Sequence, residues 1–218
     1  GWALVNRSDA KGAMAELLSG GGASLSGDEA VNADWLKGLP AGEAVRLTCA
    51  IAPQSDLGPT HLQFAPKRVA VGVGCARNCS TEEMAGLVRS TLRDAGVCDA
   101  AVHSVNTISL KADEPAILDL AASLAAPLRL FSASELEIET PRLATPSDVV
   151  FAEVGCHGVC EAAALAQLGS EGILWVQKRK TSNATVALGL FPKPKAELRG
   201  EARGRLSVVG IGPGQAAW

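Results

Sequence analysis

The sequence predicts an α/β protein built on a central mixed sheet, and three stretches predict it. In residues 67–83, KRVAVGVGCARNCSTEE, Val69, Ala70, Val71 and Val73 form the short apolar run of a fully buried parallel strand, and a helix pattern follows at once. Strand and helix patterns then alternate from Val102 to Leu168, the signature of a sheet covered by helices. Residues 173–178 and 185–190, separated by a polar turn, read as a terminal hairpin, which makes the sheet mixed rather than purely parallel.

The first of these stretches organises the rest. Gly72 and Gly74 allow a ligand or a neighbouring backbone to approach the strand closely. Ser80 and Glu83 make a capping box, after which Met84, Leu87, Val88, Thr91, Leu92 and Ala95 share one helix face until Gly96 ends it. Strand, glycine loop and helix start thus follow one another. In an open α/β sheet ligands collect beyond the carboxyl ends of the strands, and free amides at a helix start attract anionic groups.

Upstream, residues 2–6 (WALVN) read as a strand, and Ser8 is the expected cap of a helix with Ala10, Ala13, Met14, Leu17 and Leu18 at helical spacing. A glycine and serine loop follows. Val45, Leu47, Cys49 and Ile51 alternate with Arg46, Thr48 and Ala50 as a half-buried strand, and Pro53, Gly58, Pro59 and Pro66 punctuate the passage to the central strand. Residues 1–66 therefore read as a small α/β segment preceding the main domain, residues 67–191. Downstream, Val102 to Val105 is a strand. Asp113 is the expected start of a helix with Pro115 in its first turn, carrying Ile117, Leu118, Ala121, Leu124 and Ala125. Leu128 to Phe131 is a strand leading to a second capping box at Ser132 and Glu135. Thr145 and Pro146 open a short helix ending at Val154, and an alanine-rich helix runs from Val159 to Leu168. Residues 192–204, rich in proline and charge, read as a linker, and residues 206–209 as a strand entering VGIGPG.

Composition excludes several classes. With 47% hydrophobic and 20% charged residues in 218, the chain has enough apolar material for a real core. A net charge of -3 gives no basic field, so nucleic acid is not an expected partner, and no apolar stretch is long enough to span a membrane. Six cysteines without a secretory pattern fit reduced thiols in the cytoplasm. Cys75 and Cys79, and Cys156 and Cys160, form two pairs at identical spacing, but buried thiols rather than metal ligands are the expectation. The lack of an initiator Met and the stop at Trp218 suggest a piece of a longer polypeptide.

The order of motifs VAVGVGC, STEE, KADEP, PLRLFSASEL, TPSDVV and GVCEAAAL resembles the C-terminal domain of the CbiG and CobE proteins of cobalamin biosynthesis. GWALVNRSDAKGAMAELLSG is similar to the central part of CbiG, and RLSVVGIGPG, residues 205–214, to the first strand and loop of precorrin-3B C(17)-methyltransferase. The resemblance implies an excerpt of a fusion with that methyltransferase, residues 205–218 being its truncated start. It also implies a three-layer fold with helices on both sides of the sheet, and a precorrin or cobalt-precorrin substrate. CbiG-type proteins open a ring-A δ-lactone and release a two-carbon unit; the alternative for this chain is a non-catalytic module that binds precorrin for the fused methyltransferase. No cofactor is expected for the excerpt. S-adenosylmethionine is expected for the full fusion, at Gly210, Gly212 and Gly214, and cobalt only as part of the substrate.

Lactone opening needs a base for water and donors for an oxyanion. Glu114 and Glu161 match family motifs and are the candidate catalytic residues, although a Glu in a first helical turn also complements the helix dipole. Loop amides between Gly74 and Ser80 are the candidate donors. The substrate's carboxylate arms call for cations and helix starts, which nominates Arg77, Lys111 and Lys178, with Gly72, Gly74, Cys75, Thr107, Ser132 and Ser147 lining the same cleft. Ser132 and Ser147 also suit plain helix caps.

Overall fold

In the computed structural model, which describes residues 1–55 and 57–204, the chain forms two sheets. The first comes from residues 1–66. It contains β1 (Trp2–Leu4), helix α1 (Ala10–Leu18), β2 (Ala23–Ser26), β3 (Val45–Cys49) and β4 (His61–Pro66), with strand order β1-β4-β3-β2. β1 runs antiparallel to β4, and β4, β3 and β2 are parallel.

Two of these strands were invisible as patterns. β2 is mostly small residues, Ala23, Ser24 and Ser26 around Leu25, and its extended state comes from pairing with β3 rather than from its own side chains. β4 hides among prolines, yet Pro66 sits at the strand's last position, opposite Trp2, where a missing N–H costs little. Ser8 is not the expected cap. It lies inside a 3-10 turn, Arg7–Asp9, and Asn6 does the organising: its amide nitrogen donates to Asp9 and to the His61 carbonyl, both at 2.8 Å, and its oxygen accepts from the Gln63 amide at 3.0 Å.

The second sheet contains β5 (Val69–Cys75), α2 (Thr81–Asp94), β6 (Val102–Ile108), α3 (Pro115–Ser123), β7 (Leu128–Phe131), α4 (Ala133–Glu137), α5 (Asp148–Val154), α6 (Cys160–Leu168), β8 (Ile173–Lys180), β9 (Ala184–Leu190) and β10 (Glu201–Ala202). Its order is β10-β7-β6-β5-β9-β8. β7, β6 and β5 are parallel, and the β8-β9 hairpin adds two antiparallel strands at one edge. The sheet is mixed, as expected. β10, in the stretch read as a linker, closes the other edge antiparallel to β7; Arg129 donates from Nε to the Arg199 carbonyl at 2.7 Å and also bonds the Gly200 carbonyl, which holds this segment extended.

Alternation along β5 produces the layers. Val69, Val71 and Val73 face α2 and α3, where Met84, Val88, Leu92, Ile117 and Leu120 are all buried. Each such side chain contributes about 1.5–3 kcal/mol on leaving water. Ala70 and Gly72 face α6 on the opposite side. A Cβ on Gly72 would stand 1.9 Å from the Cys160 carbonyl oxygen and 2.8 Å from the Ala164 nitrogen, so the alanine-rich helix rests directly on the strand backbone. Ala162, Ala163 and Ala164 are fully buried.

The helix starts hold partial surprises. Ser80 accepts from the Glu83 amide, but Glu83 does not reach back; its carboxylate accepts from the Thr181 hydroxyl, the Asn183 amide and the Asn183 side chain at 2.6–3.0 Å, fastening the hairpin turn to α2. The capping box at Ser132 and Glu135 is complete. α3 begins after Glu114, not at Asp113, because Pro115 takes the first helical position; no side chain caps it. α5 is capped by Ser147. The two sheets meet at Arg68, whose guanidinium pairs with the buried Glu29 and donates to the Phe191 carbonyl at 2.8 Å. Residues 205–218, including the expected strand and the Gly210, Gly212 and Gly214 loop, lie outside the described residues.

Candidate active site at the strand ends

A cavity of about 480 Å³ opens at the carboxyl ends of β5 and β6. Gly74 and Cys75 end β5, Ile108 ends β6 and Lys111 follows it, Glu161 and Val159 belong to the start of α6, and Lys178 and Lys180 come from the hairpin. Val150, Glu153 and Val154 of α5 close one side. Such a position follows from topology, since parallel strands end together and their helices start there.

Glu161 is the best-held side chain of the group. It is 2% exposed, and its carboxylate accepts from the amides of Ala144 at 2.9 Å, Thr145 at 3.0 Å and Lys178 at 2.8 Å. One carboxylate thereby ties the loop before α5 to strand β8. Charge-assisted bonds of this kind satisfy a buried carboxylate without a cation. Lys178 Nζ donates to the Thr145 carbonyl at 3.4 Å, and Lys111 Nζ lies 3.5 Å from Glu114, whose other oxygen accepts from the Asn78 amide at 3.0 Å. The cavity thus carries three ammonium groups against an apolar wall of Ile108, Leu110, Val150, Val154 and Val159.

The thiols are not activated. Burial pushes both Cys75 and Cys160 up to about 11, so they stay protonated at neutral pH. All six cysteines are free, and among the described residues no group of three or more metal-ligating side chains converges.

Gly74, Cys75, Lys111, Glu161 and Lys178, nominated from the sequence, meet at this cavity, and Glu114 stands behind Lys111. Others do not. Gly72 lies beneath α6. Thr107 is fully buried and donates to the Val73 carbonyl at 2.8 Å, a bond inside the sheet. Arg77 is exposed on the loop before α2, and Ser132 and Ser147 are occupied as helix caps away from the lining. Two of the expected oxyanion donors are already used: the Ala76 amide by the Asn183 carbonyl, and the Asn78 amide by Glu114.

Sequence reasoning missed Thr145, Glu153 and Lys180. Lys180 shares a strand face with Lys178 two residues earlier, a signal that period-two alternation carries. Glu153 had no such signal, because α5 lies over the cavity through tertiary placement alone. Beside it the His157 ring stacks on Phe151 with centroids 4.5 Å apart, and Nδ1 lies 2.9 Å from a Glu137 oxygen.

Residues 69–189 match the family described as cobalamin synthesis G C-terminus, more than half of the chain. The chain belongs to this CbiG C-terminal family. It is 43% identical over 134 residues to Protein CobE of Sinorhizobium sp, covering 62% of this chain and 87% of that protein. It is 33% identical over 129 residues to cobalt-precorrin-5A hydrolase of Priestia megaterium (59% of this chain, 34% of the relative) and 27% identical over 157 residues to that of Salmonella typhimurium (72% and 44%). The chain therefore spans less than half the length of these two hydrolases. A crystal structure of CobE from the cobalamin pathway superposes with a TM-score of 0.53 at 36% identity, over 56% of this chain and 89% of that one. The α/β fold with mixed sheets is common to both.

Proposed function

We propose that this CbiG-family chain binds a corrin precursor at the strand-end cavity and opens its ring-A lactone, as a cobalt-precorrin-5A hydrolase-like domain. The observation that carries this reading is the convergence of Lys111, Lys178 and Lys180 on a cavity whose other wall is apolar. A precorrin presents acetate and propionate arms around an apolar ring, so the ammonium groups meet the arms and the valine-rich wall meets the ring edge. The cavity takes one edge of the macrocycle, with the remainder outside. Cobalt enters only as part of the substrate.

In the proposed reaction a carboxylate takes a proton from water, the oxygen adds to the lactone carbonyl, and the ring oxygen leaves and takes up a proton. Glu161 holds three amides, which makes it a positioning residue in this account. Glu114, next to Lys111, and Glu153, lining the cavity, are the two candidate bases. A second reading, a binding module without turnover, is favoured by that occupancy of Glu161 and by the higher identity to CobE. The methyltransferase fusion, with S-adenosylmethionine as its cofactor, and a cytoplasmic location remain proposals; the full reading frame tests the first, and fractionation of the native cells tests the second.

Incubating the complete protein with cobalt-precorrin 5A and following product mass decides between turnover and binding. Hydrolysis is expected, with Glu114→Gln or Glu153→Gln lowering the rate about 100-fold, the effect of removing a general base. Binding with no mass change in the wild-type protein supports the module instead.

A further inference from the structure

α5 is the only α-helix among the described residues that buries none of its residues. Val149 is 70% exposed and Phe151 44%, while the half-buried Val150 and Val154, with the exposed Glu153, line the cavity. The segment around α5 nevertheless has firm ends. Ala144 and Thr145 are fixed by Glu161 of α6, and the His157 amide donates to Glu137 of α4 at 3.0 Å. Between these anchors the Ser147 amide donates to the His157 carbonyl at 2.8 Å and closes a narrow neck. Gly155, with φ of +78°, ends the helix in the left-handed conformation that glycine adopts without strain.

A pinned neck, a left-handed glycine and a head held by half-buried valines, by the Phe151 ring stacked on His157 and by Asp148 3.5 Å from His157 Nε2 make a hinge with a light closure. We propose that α5 is a hinged cover over the cavity, swinging about the neck at Ser147 and His157 and closing through Val150 and Val154. The hinge itself needs only this geometry; its use for admitting a flat macrocycle rests on the precursor reading above. Closed, the cover places Glu153 on the same lining as Lys178 and Lys180.

Cys75 reports on the cover. It lines the cavity, and it is the one cysteine of the six that is not buried. Alkylation of the full chain at mildly alkaline pH, read by mass spectrometry with Cys75→Ser as the blank, measures access. With a swinging cover, a fluorescein-sized maleimide labels wild-type Cys75 within about tenfold of the iodoacetamide rate once intrinsic reactivity is divided out. The combined change Val150→Ser and Val154→Ser speeds the bulky label at least tenfold, and Val149→Ser, on the outer face, leaves it unchanged. A bulky reagent that never labels while iodoacetamide does, or a double variant within twofold of wild type, overturns the cover. The wild-type comparison stands even if the double variant folds poorly. Cobalt-precorrin 5A is then added: no slowing of Cys75 labelling counts against the precursor reading alone, because the hinge results are obtained without ligand.

Discussion

Three side chains state the account at the residue scale. Gly72 is a packing glycine, so Gly72→Ala drives a methyl into the α6 backbone; a loss of about 3 kcal/mol or more in urea unfolding is expected, at the upper end of overpacking costs. Glu161→Gln replaces a carboxylate that accepts three amides with a group having one acceptor oxygen and a competing NH₂. It should cost about 3 kcal/mol and loosen the loop before α5, measured by denaturation and by exchange of the Ala144 and Thr145 amides. His103 is 3% exposed, and burial lowers its imidazole from 6.5 to about 4. The unfolded chain therefore takes up a proton below about 6.5 that the folded chain refuses. Stability is complete above that pH and declines as pH falls towards 4, by about 3 kcal/mol, and His103→Leu should flatten this part of the urea-derived stability curve. An unchanged slope would remove the assignment.

At the scale of elements, β5, α2, the hairpin and the alanine-rich helix were legible because their patterns are local: an apolar run, a cap, a period of 3.6 and a polar turn. β2, β4 and β10 were not, since small or proline-flanked residues become strands only when a neighbouring strand supplies the pairing. The same division runs through the site. Lys111, Lys178 and Glu161 lie near strand ends that sequence alone locates, whereas Glu153 reaches the cavity through the placement of α5, and Thr107 turned inward to bond Val73. Glu83 shows an element-scale consequence of such placement, since it clamps the hairpin turn instead of its own helix start. Its hydrogen bonds from Thr181 and Asn183 hold its carboxyl below the usual carboxylate range, so the clamp is fully present above that range and is lost as pH falls through the lowered value beneath it. Glu83→Ala should speed exchange of the Asn183 amide about tenfold at neutral pH without altering α6.

On the scale of the whole molecule, one buried ion pair joins the two sheets. Arg68→Met leaves Glu29 buried without its partner and should cost about 3–5 kcal/mol, splitting a single calorimetric transition into two as residues 1–66 come loose first. The larger architecture explains why the chemistry gathers where it does: parallel β5 and β6 end beside the start of α6, and the hairpin brings Lys178 and Lys180 to the same rim from the far edge. That gathering is the central claim, and direct titration tests it. Cobalt-precorrin 5A titrated into the wild-type protein and into Lys178→Ala combined with Lys180→Ala should show saturable binding that weakens at least tenfold in the variant, about 1.4 kcal/mol. Equal affinity in both proteins, or no binding in the wild type, would contradict it.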